Sequence, residues 1–198
     1  MKLLILGATG PTGRELVKQA LAAGHEVAAL VRGPATIDRV EVIRGDATDA
    51  AAMANAIRGR DAVLSALGTG KSFKSGDLMT RVTPHLVSAK RLLFVSAAGV
   101  GESFNEMPPF GKLFFRTLLR GIYADKAKAD DTIRASKTEW TIIRPTVLTN
   151  GPRTGSYRVA EHLPLHGMPK ISRADVADFM IRELADRKWI RKTVIISA

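Results

Sequence analysis

The chain has 198 residues, 45% hydrophobic and 25% charged, which suits one soluble domain with a sizeable core. It has no cysteine, which excludes disulfides, thiolate nucleophiles and Cys-based zinc or iron–sulfur sites. The net charge is +11, but its basic residues alternate with acids and no nucleic-acid-binding signature accompanies them.

The elements follow a strand–helix alternation. "KLLIL" (2–6) reads as a buried strand, and no apolar run approaches the about 20 residues that span a membrane. "TGRELVKQALAAG" (12–24) is an amphipathic helix stopped by Gly24. "HEVAALVR" (25–32) and "VEVIRGD" (40–46) are strands two and three. "DAAAMANAIRG" (49–59) is a helix with Asp49 as N-cap. "DAVLSAL" (61–67) is the fourth strand, followed by a loop and a helix over 77–90 that contains Pro84. "RLLFVSA" (91–97) is the fifth strand. A helix near "DKAKADDTIRAS" (125–136) leads to the sixth, "EWTIIRP" (139–145). "SRADVADFMIRELAD" (172–186) is a helix capped by Ser172, and "KTVIIS" (192–197) a closing strand. Continuous apolar strands separated by helices predict a single α/β domain over 1–198, a doubly wound parallel sheet. Residues 98–122 form the one long irregular stretch, the length expected of a lid or binding loop. "RKWIRK" (187–192) is the densest basic cluster and reads as solvated surface.

"GATGPTG" (7–13) sits between the first strand and the first helix, with glycines at 7, 10 and 13. That position gathers backbone N–H groups and the positive helix end, an anion site. Gly7, Thr9, Gly10, Pro11, Thr12 and Gly13 are therefore candidates to hold a dinucleotide pyrophosphate. The second strand ends in Arg32, where an NAD site would carry an acid; a guanidinium there favours the 2′-phosphate of NADPH, with Thr36 and Arg39 nearby. Asp46, followed by Ala47, stands where it either accepts from the adenine amino group or caps a turn. Leu67, Gly68 and Thr69 end the fourth strand and should pass beneath the pyrophosphate and ribose.

"GATGPTGR", "LVR", "GDATD", "VSAAGVG", "WTIIRPTVLTNGPRTGSYRV" and "ISRADVADFM" occur in this order over essentially the whole chain. Together they resemble the atypical short-chain dehydrogenase/reductases of the NmrA-like, NAD(P)H-binding group. Within it, the chain looks like the branch of NADPH-dependent flavin and biliverdin-IXβ reductases. The resemblance implies a nicotinamide ring over the ends of strands four to six, with Ser96, Pro145 and Thr146 beside it. Tyr157 then lies either on the substrate side or packed on the core.

Short-chain dehydrogenases pair Tyr with Lys as YxxxK, whereas here Tyr123 and Lys126 are three apart. Ser96, Tyr123 and Lys126 are the candidate catalytic groups, with Lys126 alternatively holding the ribose or facing solvent. The altered spacing argues against Tyr-based ketone chemistry and for a reaction in which solvent supplies the proton. Phe104 and Phe110 either offer a wall for a flat substrate such as FMN or FAD, a quinone or a linear tetrapyrrole, or belong to a segment whose Leu113, Phe114 and Leu118 form a helical stripe buried on the core or on a partner chain. His162 and His166 lack a carboxylate companion, so no metal is expected. The expected protein is a cytoplasmic NADPH-dependent reductase with a small-molecule substrate and no nucleic-acid or membrane partner, a monomer or weak homodimer. The alternatives are a non-catalytic NAD(P) sensor acting through a protein partner and, ranked lower, a nucleotide-sugar epimerase or dehydratase.

Overall fold

The computed structural model describes residues 1–68, 76–101, 120–165 and 167–198. Its strands are β1 (Lys2–Leu6), β2 (Glu26–Val31), β3 (Glu41–Arg44), β4 (Ala62–Ser65), β5 (Arg91–Val95), β6 (Glu139–Pro145), β7 (Val147–Thr149), β8 (Arg158–Ala160), β9 (Lys170–Ser172) and β10 (Lys192–Ser197). The described helices are α1 (Pro11–Ala22), α2 (Ala50–Ile57), α3 (Leu78–Leu86), α4 (Arg120–Arg134) and α5 (Arg173–Asp186).

Eight strands form one sheet in the order β3-β2-β1-β4-β5-β6-β10-β8. All pairings are parallel except that of β8 with β10. The alternation of side chains along β1 explains the layers. Leu3 and Ile5 point to one face, where Leu16, Val17 and Ala20 of α1 meet Val176, Ala177 and Met180 of α5. Leu4 and Leu6 point to the other, against Met53 of α2, Val82 of α3 and Ile133 of α4. Strand order reverses between β1 and β4, which opens a crevice at the carboxyl ends of the strands.

Both predicted caps are present: Asp49 accepts from Ala52 N at 2.7 Å and Ser172 from Asp175 N at 2.9 Å. α3 is shorter than the sequence suggests, ending at Leu86 two residues after Pro84, whose ring nitrogen cannot donate to the helix. Its first turn is capped from outside: Asp125 of α4 accepts from Met79 N and Thr80 N, both at 2.9 Å. Three strands were not foreseen. β7 and β9 pair as a separate parallel ribbon, and β8 adds to β10. Each has three residues, too few for periodicity to show. The basic 187–192 stretch lies at the start of β10, the end of the sheet opposite the crevice. There Arg187 pairs with Glu139 and Lys192 with Glu161. No helix among the described residues is long and apolar enough to cross a membrane.

Candidate active site

Because β1 to β6 run parallel in the main sheet, their carboxyl ends share one edge. The glycine loop, Arg32, Asp46, Leu67, Gly68, Ser96 and Thr146 all follow those ends. The three loop glycines have different reasons to be there. Gly7 has φ +77°, and a Cβ on it would sit 2.7 Å from the carbonyl oxygen of Ala66. A Cβ on Gly13 would collide with the backbone of Gly7. Both are demanded by the fold. Among the described residues, a Cβ on Gly10 would meet only Gly7 O, at 3.2 Å. Gly10 is the N-cap of α1 and offers no capping side chain, and Pro11 follows it. The first turn of α1 thus presents uncapped N–H groups and the positive end of its dipole to the crevice. This cradle, open where a Cβ would otherwise stand, fits a pyrophosphate.

Thr9 is exposed, and its carbonyl accepts from Arg14 Nε at 3.0 Å. Beside the loop lies a cleft of about 520 Å³, between α1 and residues 35–38. Asp46 does cap a turn: one carboxylate oxygen accepts from Thr48 N at 2.8 Å and from Thr48 Oγ1 at 2.9 Å. Those bonds, helped by the charges of Arg32 and Arg81, hold its carboxyl below the usual range. Its second oxygen takes no hydrogen bond among the described residues, so capping and adenine recognition are compatible. Arg32 is exposed, Ala47 buried, Leu67 half-buried and Gly68 exposed. Thr69, Phe104, Phe110 and His166 lie outside the described residues, as do 102–119 of the 98–122 stretch; its last residues, 120–122, are not irregular but open α4.

At the other end of the crevice, one face of α4 reaches the backbone that leaves β5. Tyr123 donates to Ala98 O at 3.1 Å, and Lys126 Nζ to Val95 O at 3.4 Å and Ser96 O at 3.3 Å. Asp130, one turn further and 1% exposed, accepts at Oδ2 from Ser96 Oγ at 3.2 Å and from Arg144 Nη2 at 2.9 Å. Burial pushes the Tyr123 hydroxyl above its ordinary pKa and the Lys126 ammonium below its own, although Asp130 and Asp125 pull Lys126 back up. Burial also raises Asp130, against the opposing pull of Arg144, Ser96 and Lys126. Asp130 and Arg144 were not anticipated. The available signal was an acid four residues after Lys126 and an arginine inside an apolar strand, both of which a buried pair explains.

Thr146 is buried against β10, its N–H donating to Ile196 O at 3.1 Å, while Pro145 O accepts from Ala98 N at 3.0 Å. The loop after β5 therefore lies along the end of β6. Tyr157 donates to Asp178 Oδ2 at 2.7 Å, and its ring meets Phe179 edge-on. Asp178 also pairs with Arg153 and Arg182. Asp175 takes the N–H groups of Thr154 and Gly155 at 2.7 and 2.9 Å. The "NGPRTGSY" and "SRADVADF" segments are thus two halves of one contact that holds the 150–157 loop on α5. No group of three or more His, Asp or Glu among the described residues could hold a metal ion.

A family model described as NAD(P)H-binding matches residues 7–187. The uncharacterized protein YwnB of Bacillus subtilis (strain 168) is 30% identical over 216 residues, covering all of both chains. Among solved structures, ChuY of Escherichia coli O157:H7, described as an anaerobillin reductase, is 26% identical with a TM-score of 0.77, covering 99% of this chain and 96% of that one. A short-chain dehydrogenase/reductase from Veillonella parvula DSM 2008, solved with NADP, shares the fold at a TM-score of 0.82 and 22% identity, covering 100% and 94% of the two chains.

Proposed function

The chain belongs to the NAD(P)H-binding family of atypical short-chain dehydrogenase/reductases, and from that premise we propose that it is an NADPH-dependent reductase of flavins or similar conjugated acceptors such as quinones and linear tetrapyrroles. One observation carries the choice of acceptor. The three side chains nearest the family's catalytic positions are all turned to holding the protein: Tyr123 to Ala98, Lys126 to two carbonyls, Ser96 to Asp130. Burial moves Tyr123 away from proton transfer at neutral pH, the opposite of what ketone reduction asks of such a tyrosine. An acceptor that takes a hydride and draws its proton from solvent needs none of them.

NADPH, when bound, supplies the hydride. The chain supplies position and shelter. Gly10 and the first turn of α1 hold the pyrophosphate, Asp46 accepts from the adenine amino group through its second oxygen, and Arg32 attracts the 2′-phosphate. Ser96, Pro145 and Thr146 flank the ring. Leu163 and Leu165, packed on Ala98, bring an apolar wall to the same place and exclude water from it.

The test is NADPH oxidation with FMN, FAD, riboflavin and simple quinones, beside binding titrations of NADPH and NADH. The proposal expects acceptor-dependent turnover and tighter NADPH binding. Tight binding without turnover would contradict it and identify a sensor that signals NAD(P) to a protein partner.

A further inference from the structure

Arg14 and Lys18 lie one turn apart on α1 and both line the cleft beside the glycine loop. The opposite wall carries Thr36, and buried Ala8 and Val17 contribute an apolar floor. Arg14 is held in place by its Nε bond to the carbonyl of Thr9. Its two terminal nitrogens donate no hydrogen bond among the described residues, and Lys18 pairs with no acid there. The one carboxylate in the cleft, Asp38, stands 3.5 Å from Arg39 Nε, which offsets its charge. Arg32 does not line this cleft.

We propose that Arg14 and Lys18, with Thr36 opposite, form a second wall of the site that recognises the dinucleotide's 2′-phosphate, and that Arg14 sets a large part of the preference for NADPH over NADH. The inference rests on the dinucleotide reading above. Its chemistry is that of a phosphomonoester, which carries a charge of about −1.5 to −2 near neutral pH and three acceptor oxygens. One guanidinium cannot balance that charge. Arg32 from the end of β2 together with Arg14 and Lys18 from α1 can, and the Thr36 hydroxyl can meet an oxygen that the cations leave. The fork of Arg14, anchored at Nε, presents its free N–H groups in one plane, at a smaller ordering cost than an unanchored side chain would pay.

The experiment titrates adenosine 2′,5′-bisphosphate, 5′-AMP, NADPH and NADH into the full chain and into Arg14→Gln, Lys18→Gln, Arg32→Gln and Lys188→Gln, with thermal melts to confirm folding. The bisphosphate and AMP differ in the 2′-phosphate, so their ratio isolates this contact. Arg14→Gln should reduce that ratio by about tenfold and Lys18→Gln by about threefold, the range of one lost charge-assisted contact. Lys188, at the far end of the sheet, should leave it unchanged. A ratio within about twofold of wild type in Arg14→Gln, with the loss confined to Arg32→Gln, would overturn the inference while leaving the NADPH reading intact. A wild-type chain that binds NADPH no better than NADH would overturn both.

Discussion

Ser96 donates its hydroxyl hydrogen to Asp130, and that bond decides what the serine has left to offer. Oδ2 of Asp130 already accepts from Nε and Nη2 of Arg144, so it is an acceptor and Ser96 must be the donor. Toward a bound ring Ser96 then presents only lone pairs. It can accept from an amide N–H but cannot polarise a carbonyl. The dependence of Ser96 on a pair from α4 and β6 gives the first prediction. Tyr123→Phe, which removes the hydroxyl that bonds Ala98 O, should leave flavin reduction within about threefold of wild type, consistent with loss of a neutral hydrogen bond. A fall of about a hundredfold or more, the size of a lost general-acid contribution, would make Tyr123 a proton donor.

Removing Asp130 should act on the fold. Asp130→Ala takes the carboxylate from a buried Arg144 guanidinium and should cost about 3–5 kcal/mol in chemical denaturation. A loss below about 1 kcal/mol would place the pair in the range of exposed ion pairs, against the burial seen here.

The glycines separate binding from folding. Gly10→Val should abolish binding of both NADPH and NADH and cost less stability than Gly7→Ala, because its side chain enters the cradle with one tight contact, to Gly7 O. Gly7→Ala should instead lower stability, since it combines φ +77° with a contact to the backbone of β4's end. Strong dinucleotide binding by Gly10→Val would show that the loop is only a turn.

Arg32→Asp should weaken NADPH binding far more than NADH binding, by about tenfold or more from loss of attraction and added repulsion. Equal losses for the two cofactors would remove Arg32 from the phosphate site.

Asp175 links the 150–157 loop to pH. Burial pushes its carboxyl up, but the bonds from Gly155 N, Thr154 N, Ser172 and the Thr154 hydroxyl outweigh it, and the net shift is downward. A carboxyl depressed by folding adds stability that is present above the unfolded value, about 3.9, and lost as pH falls through the folded one. Asp175→Asn should therefore cost about 1.5–3 kcal/mol at neutral pH, the worth of hydrogen bonds to a charged group. The gap from wild type should shrink as acid protonates Asp175. A gap that stays constant into acid would mean that the charge contributes nothing.

Much of this arrangement was legible in the chain. The seven longer strands, the helices between them and the caps at Asp49 and Ser172 follow from local patterns, because each is long enough to show a period or begins on a side chain that bonds its own backbone. β7, β8 and β9 are not, since each exists only through a partner distant in sequence. The glycine loop was readable as an anion site, but only the geometry separates Gly10 from Gly7 and Gly13. Tyr123 and Lys126 share a helix face, as i and i+3 allow, yet they bond backbone carbonyls of residues 95–98, which no side-chain pattern reveals. Asp130 and Arg144 are 14 positions apart and meet only when α4 packs on the sheet. Asp175 and Asp178 sit inside a stretch that reads as ordinary helix, and their bonds to Thr154, Gly155 and Tyr157 appear only in three dimensions.

In this reading the chain positions a hydride donor and a conjugated acceptor, and solvent provides the proton. The most direct measurement is an anaerobic single turnover of FMN with NADPH deuterated at the transferred position, run in H₂O and in D₂O. Flavin bleaching should slow with the deuterated cofactor and be nearly indifferent to D₂O. Bleaching slowed by D₂O in wild type and insensitive to it in Tyr123→Phe would show a protein proton donor, and no bleaching at all would contradict the reductase itself.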